Sequence, residues 1–212
     1  MSKLLNDYKQ YGLIGLLSRI IKSILRRIGI SYEQYYYMVN DIDYERQVAI
    51  WNKKPISGVK VLTYDDFLLG DKSVFTPSKL ALIKNRLNKG YYAYGIVENN
   101  ELIYSCWLST KELQVNAGNV SFDLTQNECL MVDAYCPPKA RGKGYHSQMN
   151  AYRLMQTVNL GRKKCIVVVL KENIPAFKSQ IKVGYKVEFM FYICKIGNKV
   201  YTDFYKKRGL LN

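Results

Sequence analysis

Residues 137–146 read Pro137-Pro138-Lys139-Ala140-Arg141-Gly142-Lys143-Gly144-Tyr145-His146. They follow a strand-like run, Glu128 to Cys136, and precede Tyr145 to Leu160, where Met149, Tyr152, Leu154, Met155 and Val158 recur at helical spacing. Two prolines end the strand because neither can donate to a ladder. Gly142 and Gly144 permit a tight turn whose backbone N–H groups converge at a helix start. Orphan amides and the helix dipole make that an anion cradle, and Lys139, Arg141 and Lys143 strengthen its field. The spacing is not that of a P-loop. Nor is it a dinucleotide-binding G-x-G-x-x-G, because Ser147 stands where the last glycine belongs. By itself the stretch also reads as a bare turn.

Downstream, Cys165 to Leu170 is continuously apolar, as a strand buried on both faces is. Pro175 to Val183 reads as a shorter helix ended by Gly184. Val187 to Cys194 and Lys199 to Tyr205 read as a hairpin around Gly197-Asn198. Upstream, Val59 to Tyr64 is strand-like, and Thr76-Pro77 opens a helix through Leu80, Ile83 and Leu87 to Gly90. Tyr91 to Val97 and Leu102 to Leu108 flank a hairpin turn. Residues 111–126 are polar and aperiodic, and Tyr32, Tyr35, Tyr36 and Tyr37 suit a connector or an edge strand. The resulting order predicts an α/β (α+β) fold with one mixed sheet and helices on its faces. Three regions are expected: a helix in 1–30, a connector in 31–58 and a catalytic domain in 59–212.

With 48% hydrophobic and 23% charged residues in 212, disordered and low-complexity classes are excluded. Lys and Arg number 32 against 17 acidic side chains, a net +15. Residues 1–30 hold +5, residues 139–212 hold +13, and the middle is slightly acidic, which implies anionic partners. The five cysteines form no C-x-x-C pair and His146 is the sole histidine, so reduced core thiols and no metal site are expected. No convincing signal peptide and no run of about 20 apolar residues is seen, so a cytoplasmic protein is expected, peripheral at the inner membrane face if the N-terminal helix binds lipid.

Within 1–30, Leu13, Ile14, Leu16, Leu17, Ile20, Ile21, Ile24, Leu25 and Ile28 form a broad apolar face opposite Arg19, Lys22, Arg26 and Arg27, with Gly29 as a stop. Covering each such side chain is worth roughly 1.5–3 kcal/mol, so the face will not stay in water. The cover is the protein's own body, a partner chain or an anionic membrane surface.

The 137–146 loop does not stand alone. Arg141 and Gly144 match the [RQ]-x-x-G-x-[GA] loop of the GNAT superfamily of N-acetyltransferases, and Asn173, Ala176, Lys182, Gly184 and Tyr185 match its N-x-x-[AS] and K-x-G-[FY] module. The chain resembles that family over about residues 59–205 and not over 1–58. The resemblance implies a GNAT-like acyltransferase fold with an added N-terminal amphipathic helix and acetyl-CoA as co-substrate. Arg141 and the amides of Gly142, Lys143, Gly144, Tyr145 and His146 would hold the pyrophosphate. The edge of Ala134, Tyr135 and Cys136 would pair with pantetheine, and Asn173 would support that arm.

Two positions depart from the family pattern. His146 stands where Gly or Ala is usual, and Gln180 replaces the tyrosine that protonates the leaving thiolate. Glu128 is the expected base, with Asp133 and Asp123 as alternatives. The expected activity is acetyl transfer to a primary amine, with an amino sugar in surface-polysaccharide assembly favoured. The alternatives are a longer-chain acyltransferase using acyl-CoA or acyl carrier protein, and a non-catalytic RNA- or membrane-binding module. Nucleic acid is the least expected partner, since no RNP-like aromatic motif is present.

Overall fold

The computed structural model describes residue 17 and residues 20–115 and 120–209. In chain order the elements are α1 (20–27), β1 (Ile30–Asp41), α2 (Tyr44–Lys53), β2 (Val59–Val61), α3 (Tyr64–Leu68), α4 (Pro77–Asn88), β3 (Tyr92–Glu98) and β4 (Glu101–Ser109). There follow β5 (Glu112–Val115), β6 (Val120–Asp123), β7 (Glu128–Tyr135), α5 (Tyr145–Asn159), β8 (Lys164–Leu170), α6 (Ile174–Val183), β9 (Lys186–Ile196), β10 (Lys199–Thr202) and α7 (Phe204–Lys207). The backbone forms two compact units. The terminal unit comprises Met1–Asn40, Gln114–Phe122 and Val167–Asn212; the loop unit comprises Asp41–Leu113 and Asp123–Ile166.

In the loop unit the strands bond in the order β2-β3-β4-β7, followed by the first half of β8. The first three pairings are antiparallel and β7–β8 is parallel. Asn99 and Asn100, with φ of 49° and 60°, make the two-residue turn between β3 and β4 that matches strand twist. Gly95 is required by close approach: a Cβ there would lie 2.1 Å from the Tyr104 carbonyl oxygen. Phe67, Phe75, Ile83, Tyr91 and Trp107 form a core cluster, with the Phe67 ring stacked on Trp107 at 5.2 Å between centroids. Trp51 of α2 meets Tyr152 of α5 at 5.3 Å, and Tyr152 meets Tyr94 of β3 at 5.5 Å. These ring contacts seat α5 between α2 and the sheet.

In the terminal unit the order is β10-β9-β1, followed by the second half of β8. β1 pairs antiparallel with β9 from Ile30↔Ile196 to Val39↔Lys186. The tyrosine-rich stretch is therefore an interior strand, where a connector or edge was expected. Cross-strand ring pairs explain it: Tyr37 stacks on Phe189 at 4.6 Å and Tyr35 on Phe191 at 5.4 Å, and Phe204 and Phe122 close the cluster.

Other boundaries differ for local reasons. Residues 31–58 are β1 and α2, the latter started by Asp43, whose carboxylate accepts the Arg46 amide at 3.0 Å. The Val59–Tyr64 strand stops at Val61, because Thr63 and Asp66 form a capping box that opens α3. The unassigned 111–126 segment contains the β5–β6 pair. The last hairpin ends at Thr202, because Asp203 is already the N-cap of α7, which begins at Phe204. The N-terminal helix was expected over 13–28; residues 1–16, 18 and 19 lie outside the described residues. None of the five cysteines is joined in a disulfide.

Candidate functional site

β7 carries the site on its open side. Its ladder with β8 covers Glu128 to Leu130, and from Val132 to Tyr135 no β8 residue is registered against it among the described residues. On the other edge, the register with β4 jumps from Trp107↔Val132 to Cys106↔Ala134. Asp133 is the extra residue of a bulge and adopts a φ of 36°. A non-glycine residue held in that region costs about 1–3 kcal/mol and needs surrounding contacts to keep it. Here they are ionic: Asp133 Oδ2 accepts from Arg86 Nη1 at 2.5 Å and from Lys79 Nζ at 3.0 Å. Burial pushes the Asp133 carboxyl up, but Arg86 and then Lys79 outweigh it and hold it below the usual carboxylate range.

Beyond Tyr135 the chain turns through Pro137 into a 3-10 turn at Pro138–Ala140. Arg141 Nε donates back to the Cys136 carbonyl at 3.1 Å and closes the bend. Gly142 and Gly144 have φ of 80° and 87°, so both use the left-handed region that a side chain resists. Nothing lies within 4 Å of a Cβ built on Gly142. The surface above the turn is open to a ligand.

Gly144 is the N-cap of α5 and has no side chain to cap it. By contrast Asp43, Thr76 and Asn173 cap α2, α4 and α6 through their side chains. The first return bond of α5 is from the Gln148 amide to the Gly144 carbonyl, at 3.2 Å. The amides of Tyr145, His146 and Ser147 therefore precede the helix's own bonding and point outward along its axis. Arg141 and Lys143 are exposed beside them, and Lys54 Nζ donates to the Lys143 carbonyl at 3.4 Å. Lys54 was missed in the sequence because 89 residues separate it from the loop. Lys139, counted there as part of the field, is paired with Glu101.

His146 is exposed at the head of a polar chain that runs inward to the buried Asn150 and Arg153. Its Nδ1 lies 3.0 Å from the Tyr104 hydroxyl and its Nε2 lies 3.4 Å from Asn150 Nδ2. Arg153 donates to Asn150 Oδ1, which turns the Asn150 amide nitrogen toward His146. Nε2 therefore accepts, and Nδ1 carries the proton toward Tyr104. Burial pushes the His146 pKa down and Arg153 adds to it, so the ring is neutral near pH 7. It adds no charge to the cradle.

A cavity of about 150 Å³ opens at the bulge, lined by Phe67, Phe75, Trp107, Ser105, Asp133 and Tyr135 among others. A wider cleft of about 510 Å³ shares Tyr135 and runs along Pro137, Pro138 and Lys139. Apolar walls with a few convergent polar groups are what small-molecule sites present.

The remaining predicted residues sit elsewhere. Glu128, at the far end of β7, is buried and accepts the Thr125 amide at 2.7 Å. Asp133 lies five strand steps further on, about 16 Å at the rise of a β-strand. Ala134 is exposed and Tyr135 and Cys136 are half-buried, all three along the open stretch of β7 or just past it. Asn173 lies in the terminal unit, where its Oδ1 accepts the Ala176 amide at 3.3 Å. Gln180 buries its Oε1 with no hydrogen-bond partner among the described residues.

No protein-family model and no curated protein matches the chain. Solved structures do. A conserved protein of unknown function from Staphylococcus epidermidis is similar over 94% of this chain and 82% of its own, with 12% identity and a TM-score of 0.56. A protein from Novosphingobium aromaticivorans, assigned to the GNAT acetyltransferases, is similar over 79% of this chain and 66% of its own, at 12% identity and 0.53. A GCN5-related glucosamine N-acetyltransferase region of a fungal multi-domain β-N-acetylglucosaminidase is similar over 85% of this chain and 23% of its own, at 16% identity and 0.53. The chain has the fold of the GNAT acetyltransferases.

Proposed function

We propose that the chain transfers an acetyl group from acetyl-CoA to a primary amine. One observation carries the reading: β7 continues past its ladder with β8 and runs straight into a turn that ends at an uncapped helix start, among exposed cations. Extended pantetheine can add to a free strand edge by main-chain hydrogen bonds, and the diphosphate meets the amides from Gly142 to His146. Arg141, Lys143 and Lys54 supply counter-charge. The bulge at Asp133 frees backbone groups near Ala134, where a thioester carbonyl would be polarised.

The amine enters the cavity beside Asp133. Its nitrogen attacks the thioester carbonyl, the C–N bond forms, the C–S bond breaks, and the thiolate leaves. Asp133, ionised by Arg86 and Lys79, binds the acceptor as its ammonium; water at the exposed mouth takes one proton before the attack, which frees the lone pair, and the second nitrogen proton passes to solvent as the C–S bond breaks. Spacing along β7 favours Asp133 over Glu128 for this, since Glu128 is about 16 Å further along the strand. The leaving thiolate takes its proton from solvent, as Gln180 offers none.

An amino sugar, as used in surface-polysaccharide assembly, is the acceptor we favour. The cavity is large enough for one six-membered ring. Its aromatic walls suit the C–H face of such a ring, and Ser105 and Asp133 suit its polar groups. The fungal region that shares the fold acts on glucosamine. A panel of amino sugars, polyamines and aromatic amines incubated with acetyl-CoA, read by release of free thiol, tests the reading. Turnover with glucosamine-type acceptors supports it, and thiol release with none of the amines overturns it.

A further inference from the structure

An amphipathic helix on a soluble domain normally turns its apolar stripe inward. In α1 the arrangement is reversed. Lys22 reaches into the terminal unit and pairs with Glu172, keeping only 17% of its side chain exposed, and Arg26 pairs with Glu33 of β1 at 2.8 Å. The opposite side of α1 shows Ile20, Ile21 and Ile24, 42%, 58% and 57% exposed, and the flanking Leu17 and Ile28 are 51% and 68% exposed. Their spacing, i, i+3, i+4, i+7 and i+11, is one face of a helix. Ion pairs thus hold the helix by its charged side and present its apolar side to the surroundings.

We propose that this face docks α1 flat on an anionic lipid surface. Charge decides among the occupants. The terminal unit has 15 basic and five acidic side chains, a net +10. A second copy would bring the same +10 to the contact. An anionic bilayer brings the opposite sign together with an apolar layer for the isoleucines. Arg27 is exposed and flanks the stripe at the level where head groups would lie. No helix among the described residues is long and apolar enough to cross a membrane, so the mode is interfacial. This inference is independent of acetyl transfer and is read without cofactor or acceptor.

The test uses the full chain and the Ile21→Asp/Ile24→Asp variant, sedimented with phosphatidylcholine vesicles that do or do not contain phosphatidylglycerol. The native chain should pellet with the anionic vesicles, more weakly as salt rises, and remain in solution with the neutral ones. The variant should bind about a hundredfold more weakly, as expected when two isoleucines no longer enter the interface. Its melting temperature should match the native chain, because both positions are exposed. Equal pelleting of variant and native chain, or no pelleting of either, overturns the proposal. So does a dimer that the substitutions dissolve, which identifies a second copy as the occupant. A variant melting several degrees lower without lipid also overturns it, since the face is then covered by the protein itself.

Discussion

Replacing Gly142 by valine separates two effects that are usually confounded. No protein atom lies within 4 Å of the added Cβ, so the substitution causes no internal clash. What remains in the free protein is strain, because Gly142 has φ of 80° and an L-residue in the left-handed region costs about 1–2 kcal/mol. For a chain of this size that lowers Tm by about 2–8 °C. The second effect concerns ligand only. A branched side chain over the turn keeps a diphosphate from reaching the amides that follow. In the native chain, acetyl-CoA at a hundredfold excess over its Kd contributes about 2.7 kcal/mol, a rise of about 5–11 °C. Differential scanning fluorimetry with and without acetyl-CoA reads both. Gly142→Val should lower the baseline and abolish the rise. Gly142→Asn, which tolerates this backbone, should keep a near-native baseline and still lose most of the rise. If Gly142→Val melts lower but climbs by the full native increment with acetyl-CoA, the turn is not the diphosphate site.

Asp133→Asn should raise KM for the amine and leave acetyl-CoA binding unchanged by calorimetry, whereas Glu128→Gln should change stability more than turnover; the reverse pattern restores Glu128 as the base. Asp133→Ala leaves the buried Arg86 without its carboxylate and should cost about 1–3 kcal/mol in a urea titration. Asn173→Ala removes the cap of α6 and should cost about 1 kcal/mol. The folded-state pKa of His146 lies below its ordinary 6.5, so its contribution to stability is complete above that pH and is lost as pH falls through the lower folded value. Tm should therefore decline on acidification below about pH 6.5, and His146→Gln should flatten that part of the curve.

Punctuation was legible in the chain because it acts locally. Thr76-Pro77 starts α4, the paired asparagines turn β3 into β4, and Gly184 ends α6 with φ of 106°. The motif residues Asn173, Gly184 and Tyr185 prove to be cap, stop and buried anchor, which is why their spacing reads so clearly. Period-two and period-3.6 patterns then sorted most of the remaining elements. The α7 helix escaped notice because four residues carry no period. The tyrosine-rich strand was misplaced at an edge, since its neighbours β9 and β8 lie more than 100 residues away in the chain.

The loop 137–146 was determined by sequence alone, because prolines and glycines constrain their own backbone whatever surrounds them. Which carboxylate stands at the cavity was decided only in three dimensions. The bulge that singles out Asp133 arises from the register between β4 and β7, and the Arg86 and Lys79 that hold it lie 47 and 54 residues away. The outward turn of the α1 isoleucines was likewise set by Glu172, 150 residues from Lys22. Strand register and ion pairing join residues that the chain keeps apart, so no local pattern records them.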